Sequence, residues 1–421
     1  MTTYAREPAL SAHFFRREAA GLVAALTRIF GVHNLALAED VVQDAFCRAL
    51  EVWKVHGVPD NPAAWLMATA RNRALDVVRR QRTARTFAPE LGRLLETEWT
   101  LAPLVEEAFQ QGVIRDEQLR MMFSCCHPGL RVEAQLALVL NLLCGFGAAE
   151  IAGALLSGRA AVEKRLSRGK RSLARARVLF DLGAAEFAER LSTVHRALYL
   201  LFGEGYHGAS SAAPVRAELC EEALRLTALL RAHPVTATPA TDALAALMCL
   251  HAARLPGRLD GAGDLAALGD QDRSRWDRRL VDEGLALLAR SAKGGEVSTY
   301  HLEAAIAAVH ARAPSLEATD WHAIVALYDR LLALSPSPVV ALNRAVAIGQ
   351  RDGAERGLAA TRAIADAERL SGYPFYPAAL GELELRRGDR AAARAHFHHA
   401  LSLARNGAER RFLEKRLACC E

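Results

Sequence analysis

The clearest chemical potential in the sequence lies in four cations, Lys164, Arg168, Arg171 and Arg175, at steps of four, three and four. At 3.6 residues per turn these steps share one helix face, and Val162, Leu166 and Leu173 share another. A helix that is basic on one side and apolar on the other can lie along a nucleic-acid duplex. Its cations then neutralise phosphates or donate to guanine edges, and its apolar side holds it on a scaffold. Just upstream, Ala149-Glu150-Ile151-Ala152 with Leu155 reads as a short helix and Ser157-Gly158-Arg159 as a turn. A short helix, a tight turn and a basic second helix form the pattern of a helix-turn-helix whose second helix enters the major groove. The ridge by itself also fits an ordinary solvated helix rich in Arg. Arg159, Arg165 and Ser167 lie on or beside the ridge and join the candidate contacts. Glu163 either accepts from cytosine N4 or forms a salt bridge to a neighbouring Arg, and the salt bridge is favoured.

A second basic cluster precedes this one. Arg71 to Arg85 holds six Arg and one Asp, a local +5, and Ser157 to Arg177 holds eight basic residues and one acid, a local +7. Between them, Thr86 to Gln118 carries seven acids against two Arg. The formal net charge of +5 over 421 residues therefore hides two concentrated patches. That distribution suits a polyanion touched at two places.

The elements that position these patches are helices. Ala, Leu, Arg and Glu dominate, β-branched alternation is scarce, and apolar residues recur at helical spacing nearly throughout, so the expected fold class is all-α. A first block, 10–82, contains helices from about Ala12 to Phe30, from about Ala36 to Trp53, and from near Ala63 after the Gly57-to-Pro62 turn. An acidic linker, 83–112, leads to a second block, 113–178, which holds the helix-turn-helix. A helical extension, 180–290, and a region with a weak repeat, 291–421, complete the chain. In that last region Gly353 and Gly388 sit 35 residues apart, near the tetratricopeptide period.

Hydrophobic residues make up 51% and charged residues 24%, which excludes a wholly disordered chain. No apolar run is long enough for a membrane span, the N-terminus lacks a signal-peptide pattern, and the eight Cys include no Cys-x-x-Cys. These features point to a cytoplasmic protein with reduced thiols, the adjacent pairs Cys125-Cys126 and Cys419-Cys420 included. Gly203-Glu204-Gly205-Tyr206-His207-Gly208 fits the dinucleotide fingerprint, but it sits in a helical context with no βαβ unit and reads as a turn between helices. Cys125-Cys126-His127 and His396-Phe397-His398-His399 lack the spacing of a metal site. Nothing in the sequence supports catalysis, a cofactor or a metal.

Glu150-Ile151-Ala152 with Val162-x-x-Arg165-Leu166-x-Arg168-Gly169-Lys170-x-x-Leu173 resembles the −35-reading domain of bacterial extracytoplasmic-function sigma factors. Ala38-Glu39-Asp40-Val41-Val42-Gln43-Asp44-Ala45-Phe46 is similar to their polymerase-docking helix, and Pro62-Ala63-Ala64-Trp65-Leu66 with Ala70-Arg71-Asn72, Leu75-Asp76 and Arg79-Arg80 to their −10-recognition helix. The match covers about residues 10–178. The long C-terminal extension, with Leu198-Tyr199-Leu200-Leu201-Phe202-Gly203-Glu204-Gly205-Tyr206 and tetratricopeptide-like repeats, resembles a subgroup with a fused helical regulatory domain.

The resemblance implies a sigma factor with core RNA polymerase and promoter DNA as partners. Glu39, Asp40, Gln43, Asp44 and Phe46 would bind the polymerase. His56, Asp60, Asn61, Trp65, Arg71, Asn72, Arg73, Arg79 and Arg80 would bind the −10 element, with Trp65 either a stacking platform or a core anchor. The C-terminal region would contact the sigma domains or a regulatory protein. A one-component helix-turn-helix regulator with a helical sensor domain is the rival reading.

Overall fold

The computed structural model describes residues 12–31, 34–83, 111–155, 157–175, 184–207 and 215–421. The acidic stretch expected as a linker falls mostly on 84–110, outside the described residues. Among those described, the chain is all-α with 18 helices and no strand, an isolated bridge between Leu259 and Leu265 aside. Two compact units divide it, Met1–Leu198 and Tyr199–Glu421.

The first unit begins with α1 (Ala12–Phe30), α2 (Leu35–His56) and α3 (Pro62–Thr83). In α2 the buried set Ala38, Val41, Val42, Ala45, Ala49 and Trp53 recurs at three- and four-residue steps. It meets Leu22, Leu26 and Phe30 of α1 and Leu66, Ala70 and Ala74 of α3, all buried. The connection between α2 and α3 is locally determined. Gly57, at φ +79°, donates its N–H to Trp53 O at 3.0 Å and ends α2. Asn61 Oδ1 then accepts the Ala64 N–H at 3.0 Å to start α3, and Pro62 occupies the first turn, where no backbone donor is needed.

The rest of this unit comprises α4 (Gln111–Cys125), α5 (Val132–Leu142), α6 (Ala148–Ala154), α7 (Arg159–Arg175) and the start of α8 (Ala184–His207). α4 ends at the Cys125-Cys126-His127-Pro128 corner. There Gln135 Nε2 donates to the carbonyls of His127 and Leu130 at 2.7 and 3.0 Å, tying the corner to α5. Leu136 to Leu140 are all buried, so α5 is the apolar rod against which α7 packs.

One expectation is corrected here. Gly203 to His207 is not a turn but the last stretch of α8. Gly205 is required by packing: the backbone of α9 (Ala217–Ala232) crosses so closely that a Cβ would meet Arg216 O and Cys220 N at 2.9 Å.

In the second unit, α10 (Pro239–Ala252) is buried on nearly every face and packs between α9, α11 (Arg278–Ser291) and α12 (Thr299–Arg312). Six helices follow, α13 (Trp321–Leu334), α14 (Pro338–Asp352), α15 (Ala354–Arg362), α16 (Phe375–Arg387), α17 (Arg390–Ser402) and α18 (Gly407–Ala418), each packed on the next. Asp320, Asp389 and Asn406 cap α13, α17 and α18 with side-chain oxygens, a contribution of about 1 kcal/mol per helix start. Gly353 and Gly388, at φ +93° and +95°, make the links from α14 to α15 and from α16 to α17. Any other L-residue would be strained at either position.

All eight Cys are free thiols, and only Cys47 and Cys419 are exposed. Burial pushes the Cys125, Cys220 and Cys249 thiols up to about 12 and Cys126 well above its ordinary value. A disulfide-exchange reagent at pH 8 should therefore titrate two thiols rapidly in the native protein and six more only after denaturation. Fast native labelling at Cys125 or Cys126, located by mass spectrometry, would contradict this packing.

Candidate nucleic-acid interface

α7 divides cleanly into two sides. Val162, Leu166, Gly169 and Leu173 are buried, with Gly169 against the Leu138 side chain of α5. Lys164, Ser167, Arg168, Arg171 and Arg175 are exposed. None of the four ridge cations has a carboxylate partner among the described residues; Arg171 Nε makes a 3.3 Å bond to Ser167 O within the helix. Four exposed cations without a carboxylate partner on one face give a concentrated positive potential, which suits a polyanion.

The neighbouring candidates divide between surface and scaffold. Arg159 donates to Glu163 Oε1 at 2.8 Å, an exposed i,i+4 pair, so the Glu163 carboxylate is engaged within its own helix. Arg165 is half-buried and donates to Ser157 Oγ at 2.8 Å, bracing the turn before α7 rather than standing on the ridge. Glu150, in the first turn of α6, accepts the Gly147 N–H at 2.9 Å and Arg16 Nη2 at 3.0 Å.

On α2, Asp40 and Gln43 stand exposed. Asp44 accepts two bonds from Arg73 of α3, at 3.0 and 2.8 Å. Phe46 is half-buried with its ring 5.2 Å from Phe15, in a chain of aromatic contacts that runs on through Trp53 to Trp65. Trp65 lies edge-on to Trp53 at 5.4 Å with part of its ring in solvent, so it is both an anchor and an accessible face. His56, at the end of α2, and Asp60, in the α2–α3 link, are exposed, and Asn61 is occupied with capping. Arg71 is half-buried and Asn72 exposed. Arg79 and Arg80 fall in the later turns of α3, and their side chains lie outside the described residues.

Two long-range pairs escape sequence reasoning. Lys170 of α7 donates to Glu39 Oε1 of α2 at 2.6 Å, and Arg16 of α1 reaches Glu150 of α6. The partners are 131 and 134 residues apart, and no local periodicity signals either pair. Each pair is about a quarter exposed, so each contributes about 0–1 kcal/mol. They join the elements carrying the two sets of candidate residues within the first unit.

Over residues 14–84 the chain matches sigma-70 region 2, and over 190–292 it matches a family of unknown function (DUF6596). It is 41% identical over 397 residues to an uncharacterized protein of Rhizobium meliloti (strain 1021), an alignment covering 93% of this chain and 92% of the relative. No solved structure matches it.

Proposed function

Because the chain belongs to the family of that Rhizobium meliloti protein and carries a sigma-70 region 2, with the sigma-factor-like role in transcription initiation that this region supports, we propose that it is a promoter-specificity factor of the extracytoplasmic-function type. The observation that carries the finer reading is the exposed, unpaired basic ridge of α7 behind the region 2 match. Lys164, Arg168, Arg171 and Arg175 contact the −35 duplex, with Ser167 beside them, while Arg159 and Arg165 shape the approach. His56, Asp60, Asn61, Trp65, Arg71, Asn72, Arg73, Arg79 and Arg80 serve the −10 element. An unstacked base costs a few kcal/mol to extrude, and the accessible face of Trp65 together with nearby cations is suited to offsetting that cost.

Asp40 and Gln43 offer a polar face to core polymerase, joined by Glu39 and Asp44 once their internal pairs open. Opening the quarter-exposed Glu39–Lys170 pair costs about 1 kcal/mol or less, small beside the contacts of a polymerase interface. Phe46 acts from beneath, holding α2 through Phe15. The helices of the second unit regulate the first, in keeping with the concave protein-binding surfaces that helical repeats build.

Run-off transcription with purified core enzyme tests the reading. The full chain should direct initiation from discrete promoters and should be retained by immobilised core polymerase. Absence of retention would favour a one-component regulator instead. A chain ending at Leu198 should differ from the full chain in promoter output, and equal output from both would end the regulatory assignment.

A further inference from the structure

Several cations of the second unit share or hold a carboxylate. Arg231 and Arg290 share Asp242, Arg362 and Arg387 share Glu384, and Arg405 takes Glu409. Arg254 and Arg258, where α10 gives way to the turn at Leu255–Gly257, are different. Arg254 makes only two long bonds, both 3.4 Å, to Gln271 Oε1. Arg258 Nε is buried without any acceptor among the described residues. Neither has a carboxylate partner among the described residues. The two charges feel one another, since burial and then the charge of Arg258 lower the pKa of Arg254, opposed by Tyr206.

Around them stand aromatic rings with idle polar atoms. The Arg258 guanidinium lies 4.1 Å from the ring centroid of Tyr206, and Arg254 lies 5.3 Å from that of Trp276. Tyr206 and Trp276 are each only 4% exposed, yet Tyr206 Oη and Trp276 Nε1 have no hydrogen-bond partner among the described residues. His251 sits 5.1 Å from Tyr206 with its Nδ1 equally unpartnered, and burial, then the charges of Arg254, His207, Arg258 and His310, keep its pKa well below the usual value. Arg273 is also near Trp276 but is structural: it donates to the carbonyls of His310 and Ala313 at 2.8 and 2.7 Å. Two cations and several donors gathered without a carboxylate are costly to hold, and the cost falls away when an anion accepts from them.

We propose that Arg254, Arg258 and Tyr206 form a binding site for a small organic anion, its carboxylate or phosphate held by the two guanidiniums and the phenol. The site stands independently of the transcriptional reading, because binding is measured on the purified full-length chain.

Tryptophan fluorescence and thermal unfolding would be followed during titration with benzoate, a nucleoside monophosphate, acetate and inorganic phosphate, at ionic strength held constant with chloride. Benzoate or the nucleotide should give a saturable response, and which of them does so identifies the head group. Arg254→Gln and Arg258→Gln should each weaken it at least about tenfold, the expectation for losing a charge-assisted contact. Tyr206→Phe, which keeps the ring packing, should weaken it less. Arg411→Gln, which removes an exposed partner of Asp264, should leave it unchanged. Without added anion, Arg254→Gln should melt no lower than the parent, since it removes a like-charge contact. No saturable response to either organic probe would overturn the site, as would equal responses in Arg258→Gln and the parent, or equal losses in Arg258→Gln and Arg411→Gln.

Discussion

Replacing Lys164 and Arg168 together with Ala is expected to abolish promoter-specific transcription while leaving retention by core polymerase intact. Both side chains are exposed and neither has an acidic partner among the described residues, so the double variant should stay within about 0.5 kcal/mol of parental stability. A cation bonded to a guanine edge contributes about 1–3 kcal/mol of discrimination. A cation on a phosphate contributes about one unit of salt slope instead. Affinity for a −35 duplex should therefore fall by about 10- to 100-fold, with a shallower dependence on salt if either residue faces phosphate. Arg165→Ala makes an internal contrast. It breaks the bond to Ser157 and loosens the turn before α7, so its effect should appear in thermal stability as well as in binding. An unchanged −35 footprint in the double variant would remove α7 from the role proposed for it.

The two sides of α7 were legible in the sequence because burial there follows the helical period: Val162, Leu166 and Leu173 are inside as their spacing requires. The same period accounts for the burial of Val42, Ala45, Ala49 and Trp53 in α2. Periodicity could not separate the cations that remain available from those already engaged. Arg73, Arg165 and Lys170 belong to basic runs, yet the fold gives them Asp44, Ser157 and Glu39 as partners. The Asp44 and Glu39 pairings depend on contacts between different helices, and the Ser157 pairing on the shape of the turn before α7. Phe46 shows the same limit from the apolar side, since its packing on Phe15 is fixed by the angle at which α1 meets α2. The cationic cluster in the second unit was invisible for a related reason. Arg254 and Arg258 are unremarkable in a chain with 53 basic residues, and they become distinctive only when Tyr206 and Trp276 close around them without a carboxylate.

Gly205→Ala and Gly203→Ala are expected to change stability in opposite directions, although they insert the same methyl group two residues apart in one helix. Glycine inside a helix is about 0.8–1 kcal/mol worse than alanine, so both substitutions begin with a gain. At Gly203 nothing lies within 4 Å of the new Cβ, and the gain should survive. At Gly205 the methyl would stand 2.9 Å from Arg216 O, Cys220 N and Cys220 Sγ. Two of those atoms are backbone and cannot rotate away. The Arg216 N–H also donates to Gly205 O at 2.8 Å, which holds the two chain segments at that distance. Overpacking of this kind typically costs about 1–3 kcal/mol, more where the backbone must shift. The shared helix gain cancels between the two variants, which should then differ by about 1–3 kcal/mol in urea unfolding followed by circular dichroism, with Gly205→Ala the less stable. Equal stability would mean that α9 does not approach α8 this closely. The same pair distinguishes packing from ligand binding as the reason for a Gly-x-Gly sequence. A phosphate-cradling loop would lose ligand affinity on substitution, with little effect on the apo fold, whereas a crossing of two helices loses the fold itself.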